Sequence, residues 1–88
     1  MLQIELVPDL DHCVETVAKR EYAEITRQLL VGEGNADLQE KAELVGAFLK
    51  TADFRKLRRE SERFLVEGKE VKFVIYVEDG TPKYDMQV

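Results

Sequence analysis

Residues 70–88 read Glu70-Val71-Lys72-Phe73-Val74-Ile75-Tyr76-Val77-Glu78-Asp79-Gly80-Thr81-Pro82-Lys83-Tyr84-Asp85-Met86-Gln87-Val88. Val71, Phe73, Ile75 and Val77 alternate with Lys72, Val74, Tyr76 and Glu78, the two-residue period of a strand with one buried face. The run stops at Asp79-Gly80, a pair suited to a two-residue type I′ turn because both of its positions need positive φ. That loop predicts a register in which Glu78 faces Thr81, Ile75 faces Tyr84, Phe73 faces Met86 and Val71 faces Val88. Apolar then meets apolar along one face. A slip of one residue would set the same stripe against Lys83, Asp85 and Gln87, so burial and turn chemistry select one hairpin independently. Pro82 offers no N–H to a ladder, which makes the second strand an edge near its start.

Before the hairpin the apolar period changes to that of helices. Over residues 10–31, Leu10, Val14, Ala18, Tyr22, Ile25 and Leu29 recur at steps of three and four, predicting a long amphipathic helix. Gly32-Glu33-Gly34-Asn35 ends it, since glycine supplies the left-handed conformation that closes a helix and Asn or Asp can start another. A second helix is expected over residues 37–50, with Leu38, Ala42, Val45, Phe48, Leu49 and Ala52 as its stripe and Gly46 permitting close helix contact. Continuing that stripe would turn Lys56 inward, whereas Phe54, Leu57, Ser61, Phe64 and Leu65 form a stripe of different phase. A break at residues 51–53 resolves the conflict, with Thr51 or Asp53 capping a third helix and Gly68 just past its end. One long bent helix is the alternative. At the other end, Leu2, Ile4 and Leu6 alternate with Gln3 and Glu5 over residues 1–7, a strand, and Pro8 either ends it or opens the next helix.

The expected architecture is α+β: an N-terminal strand, two or three amphipathic helices and a C-terminal β-hairpin, the helices packed on one face of a small antiparallel or mixed sheet. Its core is expected to gather Leu2, Ile4, Leu6, Val14, Ala18, Tyr22, Ile25, Leu29, Val45, Phe48, Leu49, Leu57, Phe64, Val71, Phe73, Ile75, Tyr84 and Met86. The 88 residues suit one small domain, and 44% hydrophobic residues provide enough apolar surface to fold it.

A formal charge of −5 argues against bulk binding of nucleic acid or anionic lipid. No apolar run approaches the roughly 18 residues of a membrane span, the amino terminus lacks the order of a signal peptide, and Cys13 is the single cysteine. A cytoplasmic protein without an internal disulfide is expected, with no membrane association.

Candidate chemistry is sparse. Asp9, His12 and Glu15 would share one helical face, half of a carboxylate–histidine metal site, but no second histidine or matching cluster completes it. Cys13 beside His12 would make a nucleophile and base only if they faced each other, and adjacent helical residues point about a quarter-turn apart. The sequence holds no phosphate-cradling glycine loop, paired-cysteine metal spacing or nucleophile elbow. Neither catalytic residues, nor a cofactor, nor a metal site is therefore assigned. What the sequence does offer is surface. Arg55, Arg58, Arg59 and Arg63, with Lys56, face only Glu60 and Glu62 on the third helix. They are candidate contacts for a protein partner or, in the alternative, for nucleic acid. Three helices followed by a hairpin match the order of a winged helix-turn-helix, an analogy of topology that the acidic tip Glu78-Asp79-Gly80 and the net charge oppose. The bland counterpart is a solvated face whose arginines pair with carboxylates elsewhere. Val74 and Tyr76 project from the second face of the hairpin, half exposed if helices cover only the first or covered by the long first helix, and mark a candidate sheet interface for a homodimer. The function expected is that of a small non-catalytic protein-interaction or regulatory domain.

Overall fold

A computed structural model describes residues 2–32 and 36–88. Its elements run β1 (Gln3–Leu6), α1 (Val14–Leu30), α2 (Ala36–Thr51), α3 (Phe54–Val66), β2 (Lys72–Glu78) and β3 (Thr81–Gln87). The strands form one antiparallel sheet in the order β1-β2-β3, and the fold is the small α+β arrangement expected.

The turn has the backbone its sequence requires, with Asp79 at φ 53° and Gly80 at φ 75°. Glu78 pairs with Thr81, Ile75 with Tyr84 and Phe73 with Met86. The ladder stops at Lys72–Gln87, so the expected Val71–Val88 pair does not form: Val71 is buried ahead of the strand, while Val88 is exposed. On the other side Ile4 pairs with Ile75 and Leu6 with Phe73. One face of the sheet thus carries Ile4, Leu6, Phe73, Ile75, Tyr84 and Met86, and all of them join the core cluster with side chains from three helices. Phe73 and Ile75 have no exposed surface. Edge-to-face ring contacts run from Tyr84 to Phe73 and Phe48, and from Phe48 to Phe54, adding about 0.5–1.5 kcal/mol each beyond area burial.

The helices depart from expectation in four places. Helix α1 starts at Val14, not at residue 10, because the Asp9 carboxylate accepts hydrogen bonds from the backbone N–H of Asp11 (2.9 Å) and His12 (2.7 Å) and holds a turn ahead of it. Leu10 is consequently exposed. Tyr22, expected in the core, is 37% exposed and lies over Gly46. A Cβ on Gly46 would meet the Tyr22 ring at 3.2 Å, so the glycine does permit the close helix approach. Leu44, outside the expected stripe, is buried. Helices α2 and α3 are separate, and the Asp53 side chain accepts from the Lys56 N–H at 3.2 Å as an N-cap. Gly32 and Gly68, at φ 84° and 82°, follow α1 and α3 as expected. Of the expected linker, Glu33, Gly34 and Asn35 lie outside the described residues.

Two substitutions test this packing. Phe73→Ala empties the centre of the core and is expected to lower stability by about 3–5 kcal/mol. Gly80→Ala meets no atom within 4 Å and costs only its left-handed backbone, about 1–2 kcal/mol. Urea unfolding of the two variants reads both values.

Candidate functional site

Helix α3 is built to bury one side and display the other. Leu57 and Ser61 are buried, and Phe54, Phe64 and Leu65 pack partly against the core. The Ser61 hydroxyl donates to the carbonyls of Leu57 (3.0 Å) and Arg58 (3.2 Å), so the polar group in this seam is satisfied. Arg55, Arg58, Arg59, Glu62, Arg63 and Val66 occupy the outward arc, and all six are exposed.

The helix carries five basic residues and two acidic ones, yet among the described residues its one ion pair joins Lys56 to Glu60 at 3.9 Å. Arg63 lies over the Phe64 ring, 4.6 Å from its centroid. Among the described residues Arg55, Arg58 and Arg59 have no carboxylate within ion-pairing distance. Of the expected bland alternative, the solvated face agrees with this exposure, while the pairing with carboxylates elsewhere does not occur among the described residues. The four arginines form a basic ridge on an otherwise acidic molecule. Their side of α3 also flanks a shallow depression between Asp53, Arg55, Arg59 and Glu62.

Next to the ridge, a cleft of about 160 Å³ separates α3 from the start of α1, lined by Asp9, Cys13, Thr16, Arg58, Ser61 and Leu65 among others. Cys13 is the N-cap residue of α1, and its Sγ lies 3.5 Å from the Thr16 hydroxyl. Hydrogen bonding from the Thr16 side chain, then from its N–H, holds the thiol below its ordinary pKa, and the positive charge of Arg58 adds to the effect. No sequence pattern joins Cys13 to Arg58, because the contact exists only once α3 crosses the end of α1.

His12 and Asp9 do meet, with Nδ1 3.2 Å from Oδ1, but within the turn and not on a helix. The expected shared face with Glu15 is overturned by the later start of α1. Among the described residues no three His, Cys, Asp or Glu side chains converge in the manner of a metal site. The hairpin tip lies near the start of α3, where Lys56, Thr81 and Pro82 share a groove, and it presents Glu78 and Asp79.

The second face of the sheet is polar around a narrow apolar centre. Gln3, Glu5, Lys83, Asp85 and Gln87 are exposed on it, Tyr76 is half-buried and Val74 is only 8% exposed. Val74 was expected to be half exposed. It is instead enclosed although no helix covers this face, because it sits in the central strand between Glu5 and Asp85, beside Lys72, whose ammonium reaches Glu5 at 3.4 Å. Desolvation, then the carboxylates of Asp85 and Glu78, push the Tyr76 hydroxyl above its usual pKa. An apolar groove that the sequence reading did not identify runs between α2 and the sheet where Leu2 precedes β1 and Val77 lies near the end of β2, lined by Leu2, Glu40, Glu43, Leu44, Ala47 and Val77.

A sequence model of an uncharacterised protein family matches residues 1–85. An uncharacterised protein of the archaeon Archaeoglobus fulgidus is 45% identical over 51 residues, a match covering 54% of this chain and 60% of that protein. The chain thus spans less than two thirds of the length of this curated relative. No solved structure matches.

The thiol environment gives a direct prediction. Thiolate absorbance followed against pH should show Cys13 ionising below an ordinary cysteine, and Thr16→Val should move the midpoint upward because the largest stabilising hydrogen bond is removed. An unchanged midpoint in Thr16→Val would contradict the assigned cause.

Proposed function

The chain belongs to this uncharacterised family, and from its own surfaces we propose that it is a small non-catalytic interaction or regulatory domain that docks an acidic protein surface on the arginine ridge of α3. One observation carries the reading: Arg55, Arg58, Arg59 and Arg63 stand exposed on one helix, and no carboxylate of the described residues pairs with them. A guanidinium presents a planar fork that matches a carboxylate in bidentate geometry. Four on a capped helix, held by the buried Leu57 and Ser61, form a pre-positioned set, which reduces the ordering cost of association. The net charge of −5 repels extended polyanions, while the local positive field still draws a compact acidic patch.

A cytoplasmic setting agrees with the free cysteine and with helices of which none, among the described residues, is long and apolar enough to cross a membrane.

The same ridge supports a second reading, a winged-helix-like nucleic-acid contact through α3 and the hairpin. Its arginines favour it, and the carboxylates of Glu78 and Asp79 at the tip oppose it. Fluorescence anisotropy with a labelled oligoglutamate peptide and a labelled DNA duplex at low salt separates the two. The peptide is expected to bind, with Arg58→Glu/Arg59→Glu weakening it roughly ten-fold or more, a change of about 1.4 kcal/mol. Binding of the duplex with no binding of the peptide would install the second reading, and failure of both probes would remove the ridge as an anion-binding surface.

A further inference from the structure

Strand β3 is an edge of the sheet, and the hairpin geometry states which of its backbone groups are free. In a two-residue hairpin the residues flanking the turn form a hydrogen-bonded pair, here Glu78 and Thr81. Alternation then directs the N–H and C=O of Lys83 and Asp85 toward β2, and those of Tyr84 and Met86 away from the sheet. Tyr84 and Met86 donate no backbone hydrogen bond to any described residue. Pro82 shares the outward set and has no N–H to leave unsatisfied.

The side chains at this edge have a symmetry of their own. Lys83 and Asp85 lie on the solvent face, one on either side of Tyr84. Both are exposed, and neither has an ion-pair partner among the described residues. A two-fold axis at Tyr84 would bring Lys83 of each copy opposite Asp85 of the other. It would also set Tyr84 against Tyr84 and Met86 against Pro82, which keeps core-face residues with core-face residues. Moving the axis to Lys83 or to Asp85 would oppose like charges, and moving it to Pro82 would oppose two residues that lack donors. A half-step shift would put Tyr84 against Asp85 and mix the two faces.

We propose that two copies of the chain associate in this one register, antiparallel along the outer edges of β3, joining their two three-stranded sheets into one. The occupant of the edge is a second copy because its charge pattern is self-complementary only about Tyr84, and an isologous interface requires that property. The pairing takes up the outward N–H groups of Tyr84 and Met86 and forms two cross-strand ion pairs on the solvent face. Helix α3 flanks the same edge, where Arg59, Glu60, Arg63 and Met86 share a groove. One short strand pairing with exposed ion pairs makes a small interface, so the dimer is weak, with Kd on the order of 10–100 μM. It uses the backbone edge of β3, which adjoins the Arg59 and Arg63 part of the ridge, and its argument does not depend on the docking role proposed for that ridge.

Sedimentation equilibrium of the full chain tests the register. Wild-type protein at several hundred micromolar should approach twice the 10.2 kDa monomer mass. Lys83→Asp places two acidic residues on each edge and Asp85→Lys two basic ones, so each variant alone should self-associate at least ten-fold more weakly. Mixed in equal amounts, the two should form a heterodimer, because the register now opposes acidic to basic at both positions. Far-UV circular dichroism establishes that each variant is folded, and the mixing result itself requires both to be. A wild-type monomer across the concentration range, an unchanged dimer in either single variant, or no association in the mixture would each overturn the proposal.

Discussion

Two adjacent residues in left-handed backbone, Asp79 and Gly80 at φ 53° and 75°, fix the pairing of β2 with β3, and the rest of the molecule follows from that pairing. A tighter or looser loop would advance one strand by a residue and exchange its two faces. With the observed loop, Phe73, Ile75, Tyr84 and Met86 share one side, and β1 extends the same side with Ile4 and Leu6. Strand β2 is then central, bonded on both edges, and its core-face residues Phe73 and Ile75 have no exposed surface. A three-stranded sheet with one apolar face needs a cover, and α1, α2 and α3 supply it.

The position of the arginine ridge is a consequence of that cover. Helix α3 contributes Leu57 to the core and sets the small, hydrogen-bonded Ser61 beside it. Its opposite arc then faces solvent, and the four arginines on that arc make no ion pair with the described residues, Arg63 lying over the Phe64 ring. Exposed single ion pairs contribute little to stability, so leaving these guanidinium groups unpaired costs the fold little while it keeps them available. The same logic applies at the β3 edge. Proline at the outward position near the turn and charges on the solvent face limit indiscriminate strand addition, and the register that satisfies both charges is a symmetric one.

How much of this was legible in the sequence depended on the range of the interaction involved. The hairpin was readable in detail because turn chemistry and alternation are local and agree. So was the break between α2 and α3, where the change in stripe phase at residues 51–53 coincides with the Asp53 cap. The start of α1 was misplaced because Leu10 and Val14 fit the helical period, while the Asp9 side chain binds the backbone of Asp11 and His12 and favours a turn. Leu44 was missed because α2 packs against both α1 and the sheet and so buries a wider arc than one stripe. Val74 was expected to be more open than it is, since burial by flanking polar side chains has no periodic signature. The four arginines were identifiable as a group, but that they lack carboxylate partners among the described residues, and that Arg58 stands beside Cys13, depended on helices meeting across the fold.

The register of β2 and β3 is open to direct measurement by NMR, through the contacts between backbone Hα protons that arise at the non-hydrogen-bonded pairs of an antiparallel ladder. The structure predicts strong Hα–Hα contacts for Ile75 with Tyr84 and Phe73 with Met86, and, across the other edge, for Val74 with Glu5. Contacts of Ile75 with Lys83 or Asp85 instead would mean that the strands are shifted by one residue, and the core face, the helical cover and the surfaces derived from them would be contradicted together.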